Sequence, residues 1–467
     1  MPPGRRLPVI LALLVCVPAG ARGEVSGAGD DAVLSSLVRD ALERSPEYAR
    51  ARAEVAAERE RIPQAGALAD PTLTLGIQND GFRRIEIGTM ETSFWQVMIT
   101  QPLPWPGKRG RRESAARAQA DAAAARLERI RLTTTADVER GYMDLLVARG
   151  QLELLGRLDV LWREAEAVAR ARYEVGAVPQ SDVVRAQLER TRLLQQRIAL
   201  EASERTRVEA LNRLRVHPLD EPIDTPRRLA DAHEPDLVAI EGALAAAEAR
   251  SPDLAEATLT VAAAERRVEA AERDRWPDFS VTAGIMPRGG IEPMWLASVG
   301  ITLPVFSARG AAVAESSRRR EAEERGIDSV RQVLQLRTRE RHDTLEALVR
   351  TLKLYREVLL VQSDAAVRST LSQYKVGKVT FASVLEVMRG VVADEGGFLE
   401  TMAQAQRVAI AEREVSLEAA GGLGGGASGG TVPGSSGMAG GPKGASRRAE
   451  ASAPPGGAGA PGMQSGM

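Results

Sequence analysis

The side chains best suited to chemistry are few in this chain, and their spacing supports none of the common reactions. His217, His233 and His342 are its three histidines. They are far apart in sequence and lack the short spacing that brings imidazoles together on a metal ion. No Gly-rich phosphate loop or nucleophile motif occurs. Cys16 is the only cysteine, and Val15 precedes it where a lipid-anchoring signal wants a small residue. The chain left after removal of a leader has no thiol, disulfide or cysteine-based metal site. Lys108, Arg109, Arg111 and Arg112 form a basic patch, but at a helix start they read as solvated or paired cations. Met438, Met463 and Met467 carry thioethers that suit soft metals, yet they read as scattered residues of a low-complexity segment. The formal net charge of −1 offers no nucleic-acid surface. Neither an enzyme nor a cofactor is expected.

What remains is a chain built to position something other than catalytic groups. It has 467 residues, of which only 3% are aromatic and 27% are charged, chiefly Arg and Glu among Ala and Leu. That mix suits long helices with solvated faces. Arg5 and Arg6 precede an apolar run from Leu7 to Val17, with small residues at Ala19 and Ala21. Residues 1–23 therefore read as a secretory signal peptide, cleaved after Ala21 or Gly23 and too short to span a bilayer. Beyond it no run of about 18 apolar residues occurs, so any passage through a membrane falls to strands.

The sequence repeats itself. Ala41-Leu42-Glu43-Arg44-Ser45-Pro46 returns as Ala247-Glu248-Ala249-Arg250-Ser251-Pro252, and the same shift carries Pro71 to Pro277. Trp95, Leu103, Pro104, Arg109 and Gly110 return as Trp295, Leu303, Pro304, Arg309 and Gly310. Tyr173-x-Val-Gly176-x-Val178 returns as Tyr374-x-Val-Gly377-x-Val379. Three matched blocks in one order mark a duplication.

Each half is predicted as helix, strand, strand, long helix, turn, helix. The first helices run roughly over Ala32–Arg61, with Asp31 as N-cap, and Leu237–Arg275; Ser45-Pro46 and Ser251-Pro252 should break or kink them. Period-two alternation follows in Leu73, Leu75 and Ile77, in Trp95, Val97 and Ile99, in Phe279, Val281, Ala283 and Ile285, and in Trp295, Ala297, Val299, Ile301 and Leu303. One apolar and one small or polar face is the pattern of a barrel wall. The stretches Arg111–Arg172 and Ala311–Gln373 lack proline, and about 60 residues of helix reach on the order of 90 Å. Their seams, Leu154, Leu158, Leu161, Ala165 and Val168 in one and Leu334, Leu345, Leu348, Leu352, Tyr355 and Leu359 in the other, require partner helices.

These readings place a first structural repeat at 24–215, with strands at about 71–78 and 92–103 and a helical hairpin at 111–213. A linker at 216–236 leads to a second repeat at 237–420, with strands at about 279–286 and 294–303 and a hairpin at 311–417. Residues 421–467, rich in Gly, Ala, Ser and Pro, read as a disordered tail. The fold class is mainly α with a small transmembrane β part. Four strands cannot close a barrel, and open edges are not tolerated in lipid. Three copies would supply twelve strands, an even number suited to an outer-membrane barrel.

At Pro71-Thr-Leu-Thr-Leu, at Gln101-Pro-Leu-Pro-Trp-Pro-Gly-Lys-Arg109 and at the two Tyr-x-Val-Gly turns the chain resembles the TolC family of outer-membrane efflux proteins, over roughly residues 31–420. The resemblance implies a homotrimer with a twelve-stranded barrel in outer-membrane lipid and an α-helical barrel in the periplasm. It also implies a periplasmic adaptor and an inner-membrane pump, of the RND type, as partners. It puts adaptor contact at the turns, at Tyr173, Gly176, Val178, Tyr374, Gly377 and Val379. It puts the periplasmic aperture at Asp182, Ser383 and Glu386; the family has two acids where this chain reads Ser383 and Glu386, so one acid is missing. Trp95 and Trp295 are expected at the membrane interface. The block Met90–Met98 and Trp105-Pro-Gly-Lys-Arg resemble the heavy-metal cation branch.

Three other readings remain open at this point. A type I secretion exit duct would share the architecture. A periplasmic adaptor would need a lipoyl-like β domain and would not duplicate the whole unit. A soluble structural coiled-coil protein would have no use for four amphipathic strands with aligned tryptophans.

Overall fold

A computed structural model describes residues 32–226, 228–304 and 308–418. The signal peptide with Cys16, the Asp31 cap and the Gly-rich tail with its three methionines lie outside these described residues. In chain order the elements are α1 (Ala32–Arg44), α2 (Pro46–Gly66), β1 (Thr72–Gln78), β2 (Phe94–Leu103), α3 (Lys108–Glu174) and α4 (Gln180–Leu214). There follow α5 (Ile240–Arg250), α6 (Pro252–Asp274), β3 (Asp278–Arg288), β4 (Ile291–Thr302), α7 (Arg309–Leu354), α8 (Leu360–Lys375) and α9 (Phe381–Glu414). The second half thus repeats the order of the first.

Both predicted helix breaks are present, and both are capped. Ser45 separates α1 from α2, and its hydroxyl accepts a hydrogen bond from the Tyr48 amide. Ser251 separates α5 from α6 and accepts from the Leu254 amide. Proline in the first turn has no needed N–H to lose, while the serine satisfies an orphan donor of the new helix.

The long helices differ between the halves. α3 runs unbroken for 67 residues, on the order of 100 Å. Its counterpart, expected to be continuous, is interrupted by a π turn at Tyr355–Leu359 between α7 and α8. Gly397 on α9 faces this turn, and a β-carbon there would stand 2.5 Å from the Tyr355 hydroxyl. The ring packs edge-on against Phe398 at 6.3 Å. The bulky ring and the absent side chain opposite explain why the extra residue is tolerated here.

The helices share two large apolar cores strung along their length, besides a small one around Ala247, Leu334 and Val415. One joins Tyr142, Leu145, Leu345, Leu352, Phe398 and Met402 to Leu37 of α1. Ile223, Leu229 and Ala232 enter the same core, so the segment read only as a linker packs as part of the fold. The other core holds Leu158, Trp162, Ala165, Leu371, Tyr374 and Phe381. The end of α9 is strapped by arginines. Arg140 Nη1 stands 3.0 Å from Glu414 Oε2, and Arg129 and Arg341 donate to the Val415 and Ser416 carbonyls. Burial raises the Glu414 carboxyl above its ordinary range, against the opposing pull of Arg140 and Arg129. No described helix is long and apolar enough to cross a membrane.

Candidate functional site

The sheet comes first, because its faces decide what it can border. Its order is β1-β2-β3-β4, all neighbours antiparallel. Leu75 opposes Val97, Val97 opposes Ile285, and Ile285 opposes Trp295, so apolar residues line up across all four strands. The other face carries Thr72, Thr74, Gln96, Thr100, Ser280, Thr282 and Ser298. There the Thr100 and Thr282 hydroxyls stand 3.0 Å apart. In the middle of β2 and β3 the apolar-face residues Trp95, Val97, Ile99, Val281, Ala283 and Ile285 are exposed, while Gln96, Met98, Thr100, Thr282 and Gly284 of the other face are half-buried. A sheet that curls around its polar face produces that difference.

Glycine lets the strands approach. A β-carbon at Gly284 would lie 2.6 Å from Met98 Cγ and 2.7 Å from the Val97 carbonyl oxygen. Trp95 and Trp295 project from the apolar face near the loop ends of their strands, 50% and 79% exposed. From Trp295 to Leu303, the residue just past the end of β4, an extended chain runs about 26 Å, which a barrel tilt of ~40° turns into an apolar band about 20 Å tall.

At the helix end of the sheet a second aromatic group closes the band. Trp105 stacks on Trp276 at 5.1 Å and on Phe279 at 5.2 Å. Beside them Lys108, 1% exposed, donates from Nζ to the Trp276 carbonyl at 2.7 Å and to Asp278 Oδ1 at 2.8 Å. Asp278 Oδ1 also accepts from the Trp105 amide at 3.0 Å. The rest of the basic patch is paired, Arg109 with the Gly66 carbonyl, Arg111 with Glu269 and Arg112 with Asp274. This junction was missed in the sequence. A signal existed: positions matching Lys108 and Asp278 in the other half are Ala308 and Thr72, so the halves depart from each other here.

The opposite ends of the helices form the two turns. Gly176 and Gly377 have φ of 72° and 80°. The amides of Ala177 and Lys378 reach back to the Arg172 and Gln373 carbonyls, while those of Gly176 and Gly377 bond the Tyr173 and Tyr374 carbonyls. Both turns are therefore Schellman closures, which require a left-handed residue. Their tyrosines diverge. Tyr173 is 45% exposed, whereas Tyr374 is wholly buried against Phe381, ring centroids 5.7 Å apart. Arg172 lies 5.0 Å above the Tyr374 ring and donates from Nη1 to its carbonyl at 2.8 Å, tying the two turns together. Val175 and Val376 are exposed at the tips, and Val178 and Val379 are half-buried.

Asp182, partly buried in the first turn of α4, is brought to Tyr374; burial, then the Asp182 charge, raises the phenol's pKa. Ser383 and Glu386 lie a turn apart on α9, Ser383 half-buried beside the Thr380 hydroxyl at 3.4 Å and Glu386 exposed. Among the described residues no cluster of His, Cys, Asp and Glu could hold a metal ion.

A four-stranded amphipathic sheet running into paired helical hairpins defines the protomer of an outer-membrane channel. The chain belongs to the outer membrane efflux protein family, which it matches over residues 37–216 and 243–420. Protein CyaE of Bordetella pertussis is 31% identical over 186 residues, a stretch amounting to 39% of this chain and 39% of that one. The outer-membrane channel OprN is 18% identical, over 85% of this chain and 91% of its own, with a TM-score of 0.71. CusC, described by its transmembrane channel formation, is 16% identical over 83% and 92%, with a TM-score of 0.68. At such identities the two structures show a common fold. This chain is an outer-membrane efflux channel subunit whose helices extend into the periplasm.

Proposed function

We propose that three copies of this chain close a twelve-stranded barrel and act as the passive exit duct of a tripartite efflux system. The observation that carries the reading is the pair of free sheet edges. β1 and β4 are end strands of a sheet whose outer face is apolar. In lipid such edges have to be paired, and with the helices of all copies on one side, antiparallel pairing joins β1 of one copy to β4 of the next. The helices support it: Val184, Leu188, Leu194 and Ile198 leave an exposed apolar stripe on α4, and Leu354, Val358 and Val361 another beside the π turn. Stripes at three-four spacing are coiled-coil seams awaiting a neighbour.

In this assembly Trp95 and Trp295 sit at one membrane interface and Trp105 and Trp276 at the other. The exposed turn residues Tyr173, Gly176 and Gly377, with the half-buried Val178 and Val379, face a periplasmic adaptor, which couples the duct to an inner-membrane pump. Asp182, Ser383 and Glu386 line the aperture. Three copies of Glu386 around an axis would favour cations, and the resemblance of Met90–Met98 to the heavy-metal branch makes metal cations the proposed cargo. Electron microscopy of the protein extracted in detergent from outer membranes tests the assembly. Long threefold tubes are expected; monomeric particles recovered without detergent would overturn it.

A further inference from the structure

Three of the eleven methionines converge on the polar face of the sheet. Met286 on β3 and Met294 on β4 are directly opposite partners. Met98 on β2 opposes Gly284, one same-face step along β3 from Met286. Directly opposed β-carbons stand about 5 Å apart and diagonal neighbours about 7–8 Å, within reach of unbranched, flexible thioether side chains. The Gly284 gap fixes the direction of Met98. Its Cγ occupies the space that a β-carbon there would fill, so the side chain lies across β3, toward the strand carrying Met286. All three are half-buried.

Their setting is unlike that of a core. The face around them is mostly threonine, serine, glutamine and glycine, with Leu296 opposite Gly284 and Phe94 at the start of β2 as its other apolar residues. Between Ser280 and Met286, and between Met294 and Gly300, it carries no carboxylate, imidazole or thiol, so the only donors there besides the thioethers are neutral oxygens; the charged residues Arg288 and Glu292 come next toward the turn. Thioethers alone select soft ions such as Cu(I) and Ag(I).

We propose that Met98, Met286 and Met294 form a thioether site for a soft monovalent cation, one per protomer, on the inner wall of the barrel near its outer mouth. The site rests on the barrel reading, because only closure turns this face toward a lumen. The β3–β4 turn and the loop between β1 and β2 lie at the ends of the strands remote from the helices, and Met286 and Met294 are the methionines nearest that turn. An ion passing outward meets the site last, after the helical tube. Such weak, ring-arranged ligands would hold the ion briefly and release it by exchange, with no bond to the protein other than coordination.

The full-length protein in detergent is titrated with silver nitrate in nitrate buffer, and bound silver is counted after gel filtration. The triple variant Met98→Leu/Met286→Leu/Met294→Leu preserves volume and apolarity. A second variant replaces Met438, Met463 and Met467 by leucine, and a Zn(II) titration runs alongside. The expected result is about one silver ion per protomer, lost in the triple barrel variant, kept in the tail variant, and not matched by zinc. Silver binding that survives the barrel substitutions, or disappears with the tail substitutions, overturns the site. Electron microscopy of the same samples separates the two readings. Threefold tubes without methionine-dependent silver binding reject the site alone, and the absence of tubes rejects the barrel on which it rests.

Discussion

Lys108 and Asp278 stand 170 residues apart in the chain and 2.8 Å apart in space. They join the start of the first long helix to the start of the third strand at the point where sheet becomes helix. Lys108 is buried, and its ammonium is held by one carboxylate and one carbonyl. Breaking a buried pair by removing one partner costs about 3–5 kcal/mol. Asp278 is about a third exposed, which lowers the expected loss to about 2 kcal/mol. Lys108→Met and Asp278→Leu should each lower the temperature at which detergent-purified assemblies dissociate. The double variant should recover part of that loss, because neither charge is then left unpaired. A double variant no better than the worse single one would show that the pair does not act as a unit.

The Tyr374 side chain should matter for its ring and not for its hydroxyl. That hydroxyl is buried and has no hydrogen-bond partner, while the ring packs on Phe381 and lies beneath Arg172. Tyr374→Phe should change stability by no more than about 0.5 kcal/mol. Tyr374→Ala should cost about 3–5 kcal/mol through the cavity it leaves. Thermal unfolding of the two variants against the parent distinguishes the cases. Arg172→Ala, which unties the two turns, should raise single-channel conductance in planar bilayers.

Acid should loosen the α3–α4 hairpin through Glu166. The hydrogen bond from Arg190, Nη1 to Oε2 at 2.7 Å, holds this carboxyl below the ordinary glutamate range. A depressed folded-state pKa contributes stability above the unfolded-state value and loses it as pH falls through the folded-state value. Amide exchange in the first turns of α4 should therefore speed up, relative to its intrinsic rate, as pH falls below the usual glutamate pKa. In Glu166→Gln the protection should be lower at neutral pH and should no longer fall over that acid range. An acid response that survives unchanged in the variant would assign the effect to another group.

Gly284 should be the least replaceable residue of the strands. A β-carbon there would meet the Val97 carbonyl oxygen at 2.7 Å, and backbone cannot step aside without breaking the β2–β3 ladder. Gly284→Val should abolish recovery of assembled protein from outer membranes. The same substitution at Gly290, which has open space around it, should be tolerated. Heat-modifiable migration of membrane extracts on gels reads both.

Much of the architecture was legible in the chain itself. The duplication exposes the element order, because each half has to satisfy the same packing twice. Alternation from Leu73 to Ile77 and from Trp295 to Leu303 marks the strands, since a period of two separates the faces of a sheet. Ser45-Pro46 and Ser251-Pro252 mark the helix breaks through local chemistry alone. The exposed tip glycines follow as directly, from the left-handed backbone that a helix closure demands.

Tertiary structure decided what the two halves do differently. Lys108 and Asp278 lock one junction because their counterparts, Ala308 and Thr72, cannot; comparing the halves for likeness conceals such a difference. The two turn tyrosines share the Tyr-x-Val-Gly-x-Val motif, yet Tyr173 is exposed and Tyr374 is buried, because Phe381, where the first turn has Gln180, and the guanidinium of Arg172 pack on the Tyr374 ring. The π turn at Tyr355 depends on the missing side chain of Gly397, some forty residues away. The three methionines of the inner wall belong to three strands, and only the register of those strands brings them together. Local pattern is encoded in neighbours along the chain, whereas burial, pairing and convergence depend on which distant residue happens to lie opposite.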